Sequence, residues 1–254
     1  MKDIRLYKIM ERLKNKIAVI TGASSGIGAY IAELFASEGA DVVINYLTSE
    51  ENAESIVKKN KLLGRQAMAI KADISNKDEI NQLIQKTLDK FGKIDIWVNN
   101  AGADILTGKE KNFKINEKLD CLIKTDLLGT INACWAIADI MKKQGHGVIV
   151  NTGWDQALHG FEGLNPQIFA ATKSGILGFT RSFAKTVGPE IRVNMVAPGW
   201  VETAFARDHM DDAYYRKRLD EIPLSRFATP RDIAEAVLFL ASDESSYLAG
   251  ESIN

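Results

Sequence analysis

A chain of 254 residues, 46% of them hydrophobic, is long enough to bury a sizeable core as one α/β unit. Its 32 Lys+Arg against 33 Asp+Glu give no basic field for nucleic acid and no acidic tract that would keep it unfolded, so a small-molecule ligand is expected. Cys121 and Cys134 form neither a CxxC pair nor a disulfide framework, and there is no secretory segment or long apolar run; these point to a reducing cytoplasm, with no membrane partner and no metal set.

Residues 1–15, MKDIRLYKIMERLKN, read as an N-terminal extension, either a short amphipathic helix or a loose segment. From Lys16 to Asn254 the text alternates between strand-like runs and helical periods, which predicts a single Rossmann-like domain: a doubly wound parallel sheet with helices on both faces. The strand candidates are IAVIT, DVVINY, QAMAIKAD, DIWVNN, GVIVNT and IRVNMVAP. Amphipathic helices are expected over 27–37, 51–63, 77–91, 119–142, 168–187 and 231–241. The segment 203–228, rich in charge and aromatics, follows the last of these strands. Ligands in open α/β sheets bind beyond the strand carboxyl ends, so a substrate lid is expected there.

The junction TGASSGIGAY carries Gly22, Gly26 and Gly28 between a strand and a helix. Glycines there let the backbone turn tightly and approach a pyrophosphate, and the helix N-terminus offers free N–H groups and its positive dipole end. Ser24, Ser25 and Ile27 belong to the same candidate loop.

T-G-x-x-x-G-x-G spans Thr21 to Gly28, N-N-A-G spans Asn99 to Gly102, Asp73 and Ile74 follow the third strand, and P-G-x-x-x-T spans Pro198 to Thr203. With these motifs in order, the chain resembles the short-chain dehydrogenase/reductase family. Wording such as VVINYLTSEENA and IPLSRFATPRDIAEAVLFLASDES looks most like the 3-oxoacyl-carrier-protein-reductase-like branch. The resemblance implies a nicotinamide dinucleotide contacted by Gly22, Ser24, Ser25, Gly26, Ile27, Gly28, Asn45, Tyr46, Asp73, Ile74, Asn100, Ala101, Gly102, Lys173, Pro198, Gly199 and Thr203. An acidic residue ending the second strand would bond the ribose 2′-OH of NAD; here that strand ends Asn45-Tyr46, followed by Thr48 and Ser49, so NADP is expected ahead of NAD.

Carbonyl reduction needs a hydride and a proton, and members of this family supply the proton from the tyrosine of Y-x-x-x-K. In FAATK the lysine is Lys173, but Phe169 holds the tyrosine position. Where relatives place a serine after the fifth strand, this chain reads Trp154-Asp155-Gln156, and Asp126 stands in place of an asparagine. No tyrosine occurs between Tyr46 and Tyr214, so another spacing does not restore one. The candidate catalytic positions are Lys173, Asp126, Asp155, Trp154, Gln156 and Phe169. Asp155, Asp104, Asp126 and His159 are the surrogate donors considered, Asp155 and Asp104 being expected above the nicotinamide, where desolvation would keep a carboxyl neutral.

Two readings stand at this point. One is an NAD(P)-dependent oxidoreductase with an atypical proton donor, acting on a small carbonyl/alcohol pair or a conjugated substrate. The other is an inactive member that serves as a cofactor-binding sensor or structural subunit. Small residues along the fifth helix, Ala170, Ala171, Ser174, Gly175 and Gly178, with the family's habits, imply a homotetramer or homodimer. The text stops at GESIN, where relatives continue into a glycine-rich tail, so a C-terminal truncation is expected.

Overall fold

The computed structural model describes residues 11–203, 206 and 210–254. Its seven strands form one parallel sheet in the order β3-β2-β1-β4-β5-β6-β7. These are β1 (Ile17–Ile20), β2 (Asp41–Tyr46), β3 (Ala67–Lys71), β4 (Ile96–Asn99), β5 (Gly147–Thr152), β6 (Ile191–Val196) and β7 (Ser252–Ile253). Every residue of β1, β2 and β4 is buried, as expected when helices cover both faces of a parallel sheet. That explains their unbroken Val/Ile runs.

The helices are α1 (Gly26–Ser37), α2 (Glu50–Leu62), α3 (Lys77–Phe91), α4 (Ile115–Leu122), α5 (Gly129–Gln144), α6 (Gln156–His159), α7 (Leu164–Val187), α8 (Asp212–Asp220) and α9 (Pro230–Ala241). One core cluster joins α1, α2 and α9 to the sheet through Ile31, Phe35, Ile56, Val237 and Leu238; another joins α3, α5 and α7 through Leu83, Trp97, Ile137 and Phe183. Fully burying side chains of this size contributes roughly 1.5–3 kcal/mol each. Local signals set several ends. Asn76 caps α3 by accepting from the Asp78 N–H, Gly92 closes it in the left-handed region at φ 76°, and Thr229 with Asp232 forms a capping box ahead of Pro230.

Three expectations change. The chain up to Lys16 is not wholly loose: Leu13 is fully buried, and Arg12 reaches Glu38 at 2.8 Å, so the described end of that extension is part of the fold. Residues 1–10 of the extension lie outside the described residues. The expected helix over 119–142 starts earlier, at Ile115, and widens into a π-helical turn over Ile123–Leu128 before α5. The helix expected to begin at Ile168 begins at Leu164 and includes Asn165 and Pro166, because proline is tolerated in a first helical turn, where its missing N–H has no partner to lose. The helical stretch Ile115–Gln144 is long and apolar enough to cross a membrane by length and composition, but its Ala133, Ile137 and Met141 pack against the sheet.

Candidate active site

The strand order reverses between β1 and β4, and the loops beyond their carboxyl ends bound a crevice there. On the β1 side the glycine loop is held from below. Thr21 Oγ1 accepts from the backbone N–H groups of Asn100 and Ala101, both at 2.9 Å, and Asn100 Nδ2 donates to the carbonyls of Thr21 and Gly22. A methyl at Gly28 would lie 2.5 Å from both Asn100 Nδ2 and the Gly22 carbonyl, and one at Gly22 would lie 2.8 Å from Ala101 Cα. Gly26, at φ +55°, faces open space. Ser25 precedes α1 without a side-chain cap, and no acidic residue sits in the first turn, so the helix's N–H groups and dipole end are free for an anion. These residues fit a dinucleotide pyrophosphate: the cradle is tight below and open above.

Asn45 and Tyr46 lie under the glycine loop at the end of β2. Asn45 is buried, with Oδ1 accepting from the Gly22 N–H at 3.2 Å and Nδ2 donating to the Ala72 carbonyl at 2.9 Å. Its polar atoms are therefore used to fix the glycine loop, and Tyr46 is buried beside it. Asp73 Oδ1 accepts from the Ser75 N–H, which shapes the loop after β3, and the Ile74 carbonyl lies against Gly129 at the start of α5.

A cleft of about 480 Å³ opens above β5 and α7, lined by Trp154, Phe161, Phe169, Trp200 and Tyr214, with Lys173, Thr152 and Thr203 among its polar members. Ile27, Pro198 and Gly199 line it as well, so the glycine loop and the P-G-x-x-x-T loop meet at one opening. Trp154 packs edge-on against Phe169 at 6.1 Å and against Phe161 at 6.3 Å, and Phe161 meets Trp200 at 5.8 Å. Edge-to-face contacts of this kind are worth about 0.5–1.5 kcal/mol beyond area burial. Phe169, at the position of the expected tyrosine, is thus packed against Trp154, the first residue of the Trp154-Asp155-Gln156 stretch.

Lys173 remains in the wall. Its Nζ lies 2.8 Å from Asp126 Oδ2 and donates to the Thr152 carbonyl at 3.4 Å, and Asp126 Oδ1 accepts from the Ala103 N–H at 2.8 Å. The π-helical turn carries Asp126 to this place, under Gly102 of the N-N-A-G loop.

The surrogate donors fare differently. Asp155 caps the short α6, accepting from the Gln156 N–H at 2.6 Å and from Gln156 Nε2 at 3.3 Å, and its carboxylate lies against Gly199. Burial pushes its carboxyl above the ordinary carboxylate range, only partly offset by the bonds from Gln156. The acidity suits a donor, but neither Asp155 nor Gln156 lines the cleft. Asp104 is bound within its own turn by the Thr107 hydroxyl and by the N–H groups of Thr107 and Leu106. Burial raises its carboxyl, but those bonds outweigh it and hold Asp104 below the ordinary range, so it is no neutral acid. His159 is exposed at the end of α6. Cys134 is buried in the core with its thiol pushed up to about 12 by desolvation, and it is chemically inert there.

The sequence reading missed Phe161, Trp200, Met210 and Tyr214 as cleft residues. A signal existed in the aromatic enrichment of 154–169 and 200–227, but no periodicity brings those segments together. The expected lid is described only in part, since residues 204, 205 and 207–209 lie outside the described residues; its α8 brings Tyr214 to the cleft.

Comparison with known proteins finds relatives over nearly the whole chain. A family profile described as enoyl-(acyl carrier protein) reductase matches residues 22–254. The 3-oxoacyl-(acyl-carrier-protein) reductase of Thermotoga maritima is 38% identical over 245 residues, covering 95% of this chain and 96% of that protein. The enzyme of the same name from Staphylococcus aureus is 37% identical over 242 residues, covering 94% and 96%. A crystal structure of a short-chain dehydrogenase from Burkholderia cenocepacia in complex with NADP superposes with a TM-score of 0.84 at 32% identity, covering 95% and 96%.

Proposed function

Because this chain belongs to the short-chain dehydrogenase/reductase family, we propose that it is an NADP-dependent oxidoreductase that moves hydride between the nicotinamide and an apolar substrate held in the aromatic cleft. The observation that carries this reading is the meeting of the glycine cradle, the P-G-x-x-x-T loop and Lys173 at one opening. The cofactor, when bound, supplies the hydride; the protein holds and orients it.

Gly22, Ser24, Ser25 and Gly26 with the α1 N-terminus would hold the pyrophosphate, and Asp73 and Ile74 would border the adenine. Asn100 to Gly102, Pro198, Gly199 and Thr203 would flank the nicotinamide half, with Lys173 at its ribose. NADP is favoured over NAD because no carboxylate ends β2, where it would repel a 2′-phosphate, and because the Burkholderia relative binds NADP. The aromatic walls would keep water from a substrate bound there, which would strengthen the local electrostatics.

The working setting is the cytoplasm, and the assembly a homotetramer or homodimer. Support for assembly comes from Trp135, 55% exposed on α5 and edge-on to Phe179 of α7 at 6.3 Å, an apolar patch on the two long helices. Light scattering on the purified protein tests this directly, and a monomeric mass would contradict it.

The cofactor reading is tested by titrating NADPH and NADH while following nicotinamide fluorescence. Micromolar NADPH binding, tighter than NADH, is expected. Absence of binding by both would overturn the oxidoreductase reading, while binding without turnover of any substrate would match a sensor.

A further inference from the structure

We propose that Arg218 is a specificity-determining residue of this cleft: from behind the wall its guanidinium fixes the Phe161 and Tyr214 rings, and so shapes the site for an uncharged, flat, ring-bearing substrate. The proposal rests on the oxidoreductase reading above and specifies its substrate class.

Two segments remote in sequence build this part of the wall. Phe161 belongs to the loop between α6 and α7, and Tyr214 lies one helical turn before Arg218 on α8. The Arg218 guanidinium stands over both rings, 5.0 Å from the centroid of each, and its Nη1 meets Glu221 at 3.1 Å. Arg218 itself is 4% exposed and does not line the cleft, whereas both rings do. A cation is drawn to the face of a ring, so a charge shared by two rings holds the tilt of both. That tilt is passed on. Phe161 meets Trp154 at 6.3 Å and Trp200 at 5.8 Å, and Tyr214 meets Trp200 at 6.1 Å, all edge-on.

Stability of the fold does not account for an arginine here. Its Nε is buried with no hydrogen-bond partner among the described residues, and its carboxylate partner Glu221 is 46% exposed. Apolar side chains of similar volume commonly match or exceed a buried ion pair in stability. What a guanidinium adds over an apolar side chain is a preferred orientation of the rings it meets.

The same geometry describes the ligand. Arg218 already occupies two ring faces and Lys173 lies in the wall, so a cation is disfavoured; Asp126 pairs with Lys173 at 2.8 Å, so an anion gains little. The Tyr214 phenol and Thr203 hydroxyl of the lining suit one carbonyl oxygen on an uncharged body. A flat ring gains edge-to-face or offset contacts with ordered rings, which a flexible chain that only buries area does not.

The test uses the whole protein saturated with NADP and two ketones of equal carbon count, the bicyclic α-tetralone and the open-chain 2-decanone. Quenching of tryptophan emission reads α-tetralone binding, and displacement of α-tetralone reads 2-decanone. Arg218→Met should weaken α-tetralone about tenfold, the scale of one desolvated cation–π contact, and move 2-decanone by no more than about twofold. NADP affinity and the urea midpoint should stay near the parent's, because Glu221 can be solvated once the arginine is gone. Arg218→Lys, which keeps the cation without the planar fork, should recover part of the loss. Phe161→Leu should lose as much as Arg218→Met, and the double variant no more than either. Equal losses for both ketones, or additive losses in the double variant, would overturn the proposal. So would a parent that binds NADP but not α-tetralone. Failure to bind NADP at all is a different result, and it would remove the cofactor reading together with this one.

Discussion

Lys173 Nζ and Asp126 Oδ2 lie 2.8 Å apart, with the Asp126 side chain 2% exposed and that of Lys173 12%. Their partnership joins α7 to the π-helical turn and ties the N-N-A-G loop to both through the Ala103 N–H. Removing one member of a buried pair leaves the other charge unpaired, which costs about 3–5 kcal/mol, whereas removing both is far milder. Lys173→Met should therefore destabilise strongly, and Lys173→Met with Asp126→Leu much less. Urea unfolding of the two single variants and the double variant measures the coupling; additive losses would show that the pair is not coupled.

The glycine cradle makes a steric prediction. Gly28→Ala places a methyl 2.5 Å from the Gly22 carbonyl and from Asn100 Nδ2, neither of which can retreat without moving the loop. Overpacking of this kind costs roughly 1–3 kcal/mol. NADPH affinity should fall at least about tenfold, equivalent to roughly 1.4 kcal/mol. Circular dichroism should show the fold retained; unchanged affinity would mean that the pyrophosphate does not use this loop.

Restoring the polar positions tests what their loss did. Phe169→Tyr with Trp154→Ser returns a phenol and a hydroxyl to the cleft near Lys173. Ketone reduction should rise by about 10²–10⁴, the usual contribution of a positioned acid. Steady-state rates with α-tetralone read this. No gain in a folded, NADPH-binding variant would mean the scaffold no longer orients a carbonyl toward those positions.

Asp155 gives a pH signature in stability. Its carboxyl is raised by burial, so its folded pKa lies above its unfolded one. The associated stability is fully present below the unfolded pKa and is lost as pH rises through the folded pKa. Asn keeps the acceptor for the Gln156 N–H without the buried charge. Relative to the parent, Asp155→Asn should gain thermal stability as pH rises from about 3 to 7, across the carboxylate range. A constant difference between the two proteins over that range would refute the assignment.

The sequence by itself determined the fold class, six of the seven described strands, the glycine loop and the place of Phe169 four residues before Lys173. Those features are local: an unbroken apolar run, a glycine where only a glycine fits, a side chain at a fixed spacing from Lys173. Tertiary structure alone decided the rest. Asn45 reads as a ligand contact in sequence, yet the Gly22 N–H and the Ala72 carbonyl take its polar atoms because β2 lies between β1 and β3. Asp155 and Asp104 read alike as loop carboxylates, and only their hydrogen-bond partners separate them, burial raising the first and turn bonds lowering the second. The aromatic cleft was equally hidden, since Trp154, Phe161 and Phe169 follow β5 while Trp200 and Tyr214 follow β6, and it takes the parallel pairing of these two strands to deliver both sets of rings to one end of the sheet.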